Sequence, residues 1–369
     1  MHKSAPHIVL FATLLLSSSL WPQQNNSGAG EARAIFRSGD PQRARIALKK
    51  LWEEDEGNAA AAYYLGILYE TAGDWGEAAE WFEEAAGVAP ENALYHRKLG
   101  SVLSRQALSA NILRQFFLIR SAKNALKTAV ALAPDSLAYR MDLLNLYAQT
   151  PTVWGGSKSK ALLQAEEIAR RNPLDGFKAR ARVYVLREDF QTAEQVYREG
   201  INAYPGDPAL YLLLEDLLVE QNRLAEALNV TTRGVEAVNR DKDLLFLEMG
   251  RLHIARGHYG LAMAALERAA GLNPTLFETY YLIGKAVSES DLPAHAGLKA
   301  LETFLASEDG RDRLQRAWAY YRMGRIYQKN EQPAEAREAY RSCLALNPDH
   351  QQARSALANL ANAANDPAP

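Results

Sequence analysis

The chain is short of the residues from which catalytic and metal centres are usually built. Cys343 is its single cysteine in 369 residues, which excludes an internal disulfide and any cysteine-based metal cluster. Seven histidines are scattered from His2 to His350, and neither G-x-S-x-G nor H-E-x-x-H occurs. Charge of one sign is also lacking. Lysine and arginine number 42 against 44 aspartates and glutamates, a net of −2, so there is no bulk basic field for nucleic acid and no acidic tail. Beyond the first residues no apolar run approaches the roughly 20 needed to cross a bilayer. What remains is a soluble-globular composition, 48% hydrophobic and 23% charged. The expectation is a non-enzymatic chain with no cofactor and no metal.

The beginning of the chain has the layout of a secretory signal. His2-Lys3-Ser4 is weakly positive, an apolar run follows from Ile8 to Leu16, and Ser17 and Ser19 offer a small-x-small cleavage site before Leu20. No cysteine lies near the cut, so lipid attachment is excluded. The expected division is a signal peptide at 1–19, a polar linker at 20–30 and one repeat array over 31–366. The implied location is periplasmic or secreted, and an uncleaved anchor is the alternative.

A repeat dominates everything after that. An alanine recurs at Ala44, Ala78, Ala122, Ala161, Ala193, Ala227, Ala262, Ala296 and Ala336, with successive differences of 34, 44, 39, 32, 34, 35, 34 and 40, and six of the nine (not Ala161, Ala227 or Ala296) are followed four residues on by a large residue. Twelve residues before four of these alanines an apolar residue and a glycine stand together: Leu65-Gly66, Met249-Gly250, Ile283-Gly284 and Met323-Gly324. Twelve residues after six of them comes proline: Pro90, Pro134, Pro173, Pro205, Pro274 and Pro348. Glycine and alanine let two helices approach closely, large side chains at Tyr69 and Phe82 are expected to fill the space between neighbouring hairpins, and proline stops the second helix.

This pattern resembles the tetratricopeptide repeat (TPR), a 34-residue helix-turn-helix with W-x2-L-G-x2-Y…A-x3-F…P. Units are expected near 31–57, 59–92, 93–136, 137–173, 174–207, 208–242, 243–276, 277–311 and 317–350, closed by a polar capping helix at 351–364. The departures are Glu215 at a small-residue position, Asn239 for a proline and Ala300 where a large residue is usual. The resemblance implies an all-α solenoid, a right-handed superhelix of hairpins whose concave face is lined by the first helices. Stacking is obligatory, because a single hairpin cannot bury its apolar face.

Two insertions break the period. Between Gly100 and Ala122 the gap is ten residues longer than usual, with Ile112, Phe116 and Ile119 on one helical stripe after Ser109 as a candidate N-cap. That second helix is expected to start early and project. The next unit gains Pro151–Gly156, whose Trp154 is expected to cover the projecting face. Ile112, Phe116, Ile119 and Trp154 also form a second candidate interaction patch, and membrane contact is confined to this 109–120 insertion or an uncleaved signal.

Other motifs are weaker. Gly155-Gly156-Ser157-Lys158-Ser159 lacks the first glycine and the G-K order of a phosphate loop. His253 and His258 are five apart, so they do not share a helix face as zinc ligands four apart do. His253 is expected to be packed in the core and Cys343 to be a buried, inert thiol.

In the TPR register, the concave face of the C-terminal half carries Arg182, Arg251, Lys285 and Arg325 among Tyr281, Trp318 and Tyr321. Cations interleaved with aromatics suit an extended partner peptide carrying an acidic or carboxylate-bearing segment. Solvated groove residues balanced by Glu278 and Glu289 are the bland alternative. The expected function is a scaffold for protein–protein interaction outside the cytoplasm. Two alternatives stay open: an accessory to envelope or polysaccharide assembly, and a solenoid that positions another chain's active site.

Overall fold

The structure, a computed structural model, describes residues 27–307 and 312–365. The expected signal peptide and the first part of the linker lie outside the described residues. The linker's last four residues do not: Ser27 opens the first helix, so the polar segment ends sooner than expected.

Helices follow one another in pairs. They are α1 (Ser27–Phe36) and α2 (Pro41–Glu54), α3 (Ala59–Thr71) and α4 (Trp75–Val88), α5 (Ala93–Ala107) and α6 (Ile112–Leu132), α7 (Leu137–Gln149) and α8 (Lys158–Arg171), and α9 (Pro173–Val185) and α10 (Phe190–Ala203). Then come α11 (Pro208–Glu220) and α12 (Leu224–Ala237), α13 (Asp243–Ala255) and α14 (Tyr259–Leu272), α15 (Phe277–Ser288) and α16 (Ala294–Ala306), α17 (Arg313–Lys329) and α18 (Pro333–Leu346), and the lone α19 (Gln351–Asn365). No strand occurs among the described residues. The protein is an all-α helical repeat solenoid.

Local chemistry sets where each helix starts. Asn58, Asn92, Ser136, Asn172 and Asp207 cap first helices, and Asp74 and Asp189 cap second ones, each accepting a backbone N–H of the opening turn. Five of the periodic prolines fall two residues beyond a second helix, whereas Pro173 is itself the first residue of α9. Within the hairpins the tight turn demands a left-handed residue two places before the second helix. Gly39, Gly73 and Gly257 supply it, as do Asn222, Glu188 (φ 58°) and Glu331 (φ 57°).

Packing inside a hairpin rests on glycine. A methyl group on Gly66 would lie 2.7 Å from Phe82 Cδ1, so Phe82 lies down on its own hairpin rather than filling the gap to the next. The link onward is Tyr63, whose ring centroid is 5.8 Å from Phe82 and 5.1 Å from Tyr95. Gly100 under Leu126 and Gly324 under Tyr340 repeat the arrangement. Each such fully buried side chain contributes about 1.5–3 kcal/mol. The α15–α16 hairpin is out of register by one residue: Gly297 is buried in place of Ala296, and Leu301 rather than Ala300 covers Gly284.

Contacts divide the chain into two compact units, where the repeat pattern alone reads as one array. One unit runs to Leu146 and includes Thr150–Gly156; the other holds Tyr147–Gln149 and everything from Ser157. In the second unit the first helices touch in sequence, α11 with α13, α13 with α15 and α15 with α17. They make one continuous face of first helices.

Candidate functional site

That face carries the predicted cations and aromatics, in unequal states. Lys285 on α15 and Arg325 on α17 are half-buried, and neither head group meets an ion-pair partner among the described residues. Arg251 on α13 differs. It pairs with Glu278 of α15 and lies 3.6 Å from Glu248 on its own helix, so it is already neutralised. Arg182 on α9 is exposed, and its charge bears on Tyr197.

The aromatics are held rather than free. Tyr281 receives a hydrogen bond from Arg322 Nε at 3.2 Å and packs against Phe304, ring centroids 5.3 Å apart. Trp318 and Tyr321 both meet His350, at 4.3 Å and 4.7 Å between ring centroids. His350 is 3% exposed, and its Nδ1 accepts the N–H of Ala353 at the start of α19, so the shelf is fixed by the terminal helix. Arg322, which the sequence reading passed over, is the buried organiser of this end. It donates to Tyr281, Ser288 and Glu289. Glu289 therefore balances Arg322 and leaves Lys285 unpaired.

Next to this lies a carboxylate cluster. Glu215 and Asp216 on α11, Glu248 on α13 and Glu278 on α15 surround Arg251. Glu215 stands where the repeat has glycine, and it is only 3% exposed. Its Oε2 has no hydrogen-bond partner. Burial, aided by the neighbouring Glu248 and Asp216 charges and opposed by Arg251, pushes its carboxyl up to about 8. Burial likewise raises Glu248 to about 7, with Arg251 opposing and Asp216 and Glu278 adding. Asp216 is open to solvent as a residue, yet its carboxyl is also raised, by desolvation first and against Arg251. The visible signal was a carboxylate in place of a glycine.

The second patch is split. Ile119 is buried, but Ile112 is 71% exposed and Phe116 is 37% exposed, with Leu113 and Phe117 open beside them. Trp154 is half-buried in the turn Thr152–Trp154 and makes no ring contact with Phe116 or Phe117, which meet edge to face. The projecting helix α6 starts at Ile112 behind Asn111, whose Oδ1 accepts the Arg114 N–H; Ser109 donates instead to the Gln106 carbonyl and is not the cap.

The remaining motifs find structural uses. Ser157 caps α8, and Lys158 pairs with Asp189 at 3.2 Å while lying over the Tyr184 ring. His253 and His258 do meet, ring centroids 5.8 Å apart, because the chain reverses between them. His253 is half-buried and its Nδ1 is unpartnered; burial, with His258 next, lowers its basicity. No group of three metal-ligating side chains occurs among the described residues. Cys343 is fully buried, and burial pushes its thiol up to about 11.

Two segments match tetratricopeptide-repeat family models, residues 36–101 and 317–350. These two segments are tetratricopeptide repeats. No curated protein matches it. Similar solved structures include YrrB, described as a TPR protein with an unusual peptide-binding site, at 19% identity, TM-score 0.45, covering 52% of this chain and 96% of that one. A tetratricopeptide repeat protein from Parabacteroides merdae is 16% identical, with TM-score 0.45 and coverage of 70% and 97%. The C-terminal part of a TPR repeat-containing protein from Cytophaga hutchinsonii is 13% identical, with TM-score 0.43 and coverage of 80% and 99%. TPR proteins are repeat proteins that mediate protein interactions, and their fold is typically a non-catalytic scaffold.

Proposed function

We propose that the first-helix face of the second unit binds an extended segment of a protein partner, and that this TPR protein acts as a scaffold outside the cytoplasm. The observation that supports the binding is the pair Lys285 and Arg325. They sit on touching helices, lack ion partners among the described residues, and stand beside the fixed ring shelf of Tyr281, Trp318 and Tyr321. Two unpaired cations there suit a carboxylate of the partner through charge-assisted hydrogen bonds. The extracytoplasmic location rests on the sequence layout of residues 1–19. Trp318 and Tyr321 direct ring surface at His350, which leaves less for stacking on a polysaccharide.

The experiment is capture of partners with the exported protein, unchanged and carrying Lys285→Glu with Arg325→Glu. Loss of the principal partner is expected. A partner set indifferent to the double reversal, in a protein that still melts normally, defeats the binding mode.

A further inference from the structure

Lys285 and Arg325 are one half of this face; Glu215, Asp216, Glu248 and Glu278 are the other. We infer that the carboxylate cluster across α11, α13 and α15 is a docking station for an arginine or lysine side chain of the partner segment. This deepens the binding role proposed above and rests on it.

Three observations carry it. First, four carboxylates face one guanidinium, which pairs with Glu278 and lies 3.6 Å from Glu248 through an Nε that makes no hydrogen bond, so one positive charge meets four acidic groups. Asp216 has no ion pair among the described residues, although the residue is exposed. Second, Glu215 is 97% enclosed by the 3% exposure it retains, and its Oε2 has no donor among the described residues. A buried acceptor left open costs free energy unless something satisfies it. Third, the remaining groups around the cluster do not supply the missing positive charge. Arg251 is the one cation whose charge bears on Glu215, Asp216 and Glu248 among the described residues, and Tyr197 of α10, beside Asp216 and Glu220, is neutral with its hydroxyl pushed up to about 12. The cluster answers its charge excess by holding protons, and an incoming cation replaces them.

Spacing between the stations follows from the fold. First helices that pack side by side are about 8–10 Å apart. From the α11–α13 seam to the α15–α17 seam is two such steps, roughly five or six residues of extended chain. The preferred partner segment carries a basic residue at that distance from an acidic one.

The test uses the full chain and two fluorescent alanine–serine peptides of equal length, one with a pair of arginines and one with a pair of glutamates at the same positions. The arginine peptide is expected to bind the unchanged protein, to weaken at least tenfold with Asp216→Asn plus Glu278→Gln, and to keep its affinity with Lys285→Ala plus Arg325→Ala. Calorimetry in buffers of different ionisation enthalpy should show protons released on binding, a signal absent in Glu215→Gln plus Glu248→Gln. Melting curves confirm that each variant folds. The inference is overturned if the arginine peptide binds no better than the glutamate one, or ignores the Asp216 and Glu278 changes. Glutamate-peptide binding that depends on Lys285 and Arg325, without arginine binding, removes the station and leaves the wider role standing. Arginine binding through Asp216 and Glu278, with a partner set indifferent to the Lys285 and Arg325 reversal, does the opposite.

Discussion

Arg322 on α17 lies 3.0 Å from Glu289 at the end of α15, and the same guanidinium reaches Tyr281 and Ser288. A single buried side chain thus ties one first helix to the preceding one by three bonds. Replacing it by alanine strands Glu289 and two further polar groups at the seam. Arg322→Ala should cost about 3 kcal/mol, and Glu289→Gln, which keeps an acceptor, clearly less. Denaturant unfolding followed by circular dichroism measures both; equal, small losses would contradict the tie.

Glu331 holds a left-handed conformation that glycine holds in sister hairpins, and Glu188 does the same. A side chain there costs roughly 1–2 kcal/mol, partly offset by glycine's greater freedom when unfolded. Glu331→Gly is therefore expected to stabilise the protein by about 0.5–1 kcal/mol, read as a higher melting temperature. A lower one would show that the glutamate has a contact that compensates the turn.

Glu215 makes stability depend on pH, and the sign is fixed. Its folded carboxyl, near 8, binds a proton more tightly than the ordinary glutamate at 4.5. Between those values the folded state holds the extra proton, so its stabilisation is full below 4.5 and fades as pH rises through 8. Glu215→Gln should flatten that slope and, near pH 8, leave the protein about 1–3 kcal/mol more stable than the unchanged chain. Melting curves across the range test it; an unchanged slope sinks the assignment.

The fold was legible because its markers answer to short-range constraints. Gly66 must admit Phe82, and Asp74 must cap the helix that begins at Trp75, so each leaves a signature within a single hairpin. The pairing of charges left only half of one: Glu278 and Glu289 stood out as balancing carboxylates, but not which cation each one meets. Arg251 finds Glu278 and Arg322 finds Glu289 across helices about thirty residues apart, where several other carboxylates were equally near in register. Counting along one helix face also hid the encounter of His253 with His258, which the intervening turn creates. The same blindness let Arg251 stand among the free cations, although the fold neutralises it.

The one-residue displacement of α16 has a consequence for anyone who would exchange repeats. Each step along a helix turns the viewpoint by about 100°. Measured from Ala296, the seam would hold different side chains and Leu301 would look outward; measured from Gly297, Leu301 is sealed and Lys299 and Glu302 meet the solvent. A chimera spliced by a fixed 34-residue ruler would therefore mount α16 more than a quarter-turn out of phase, and its joint would gape where its siblings close.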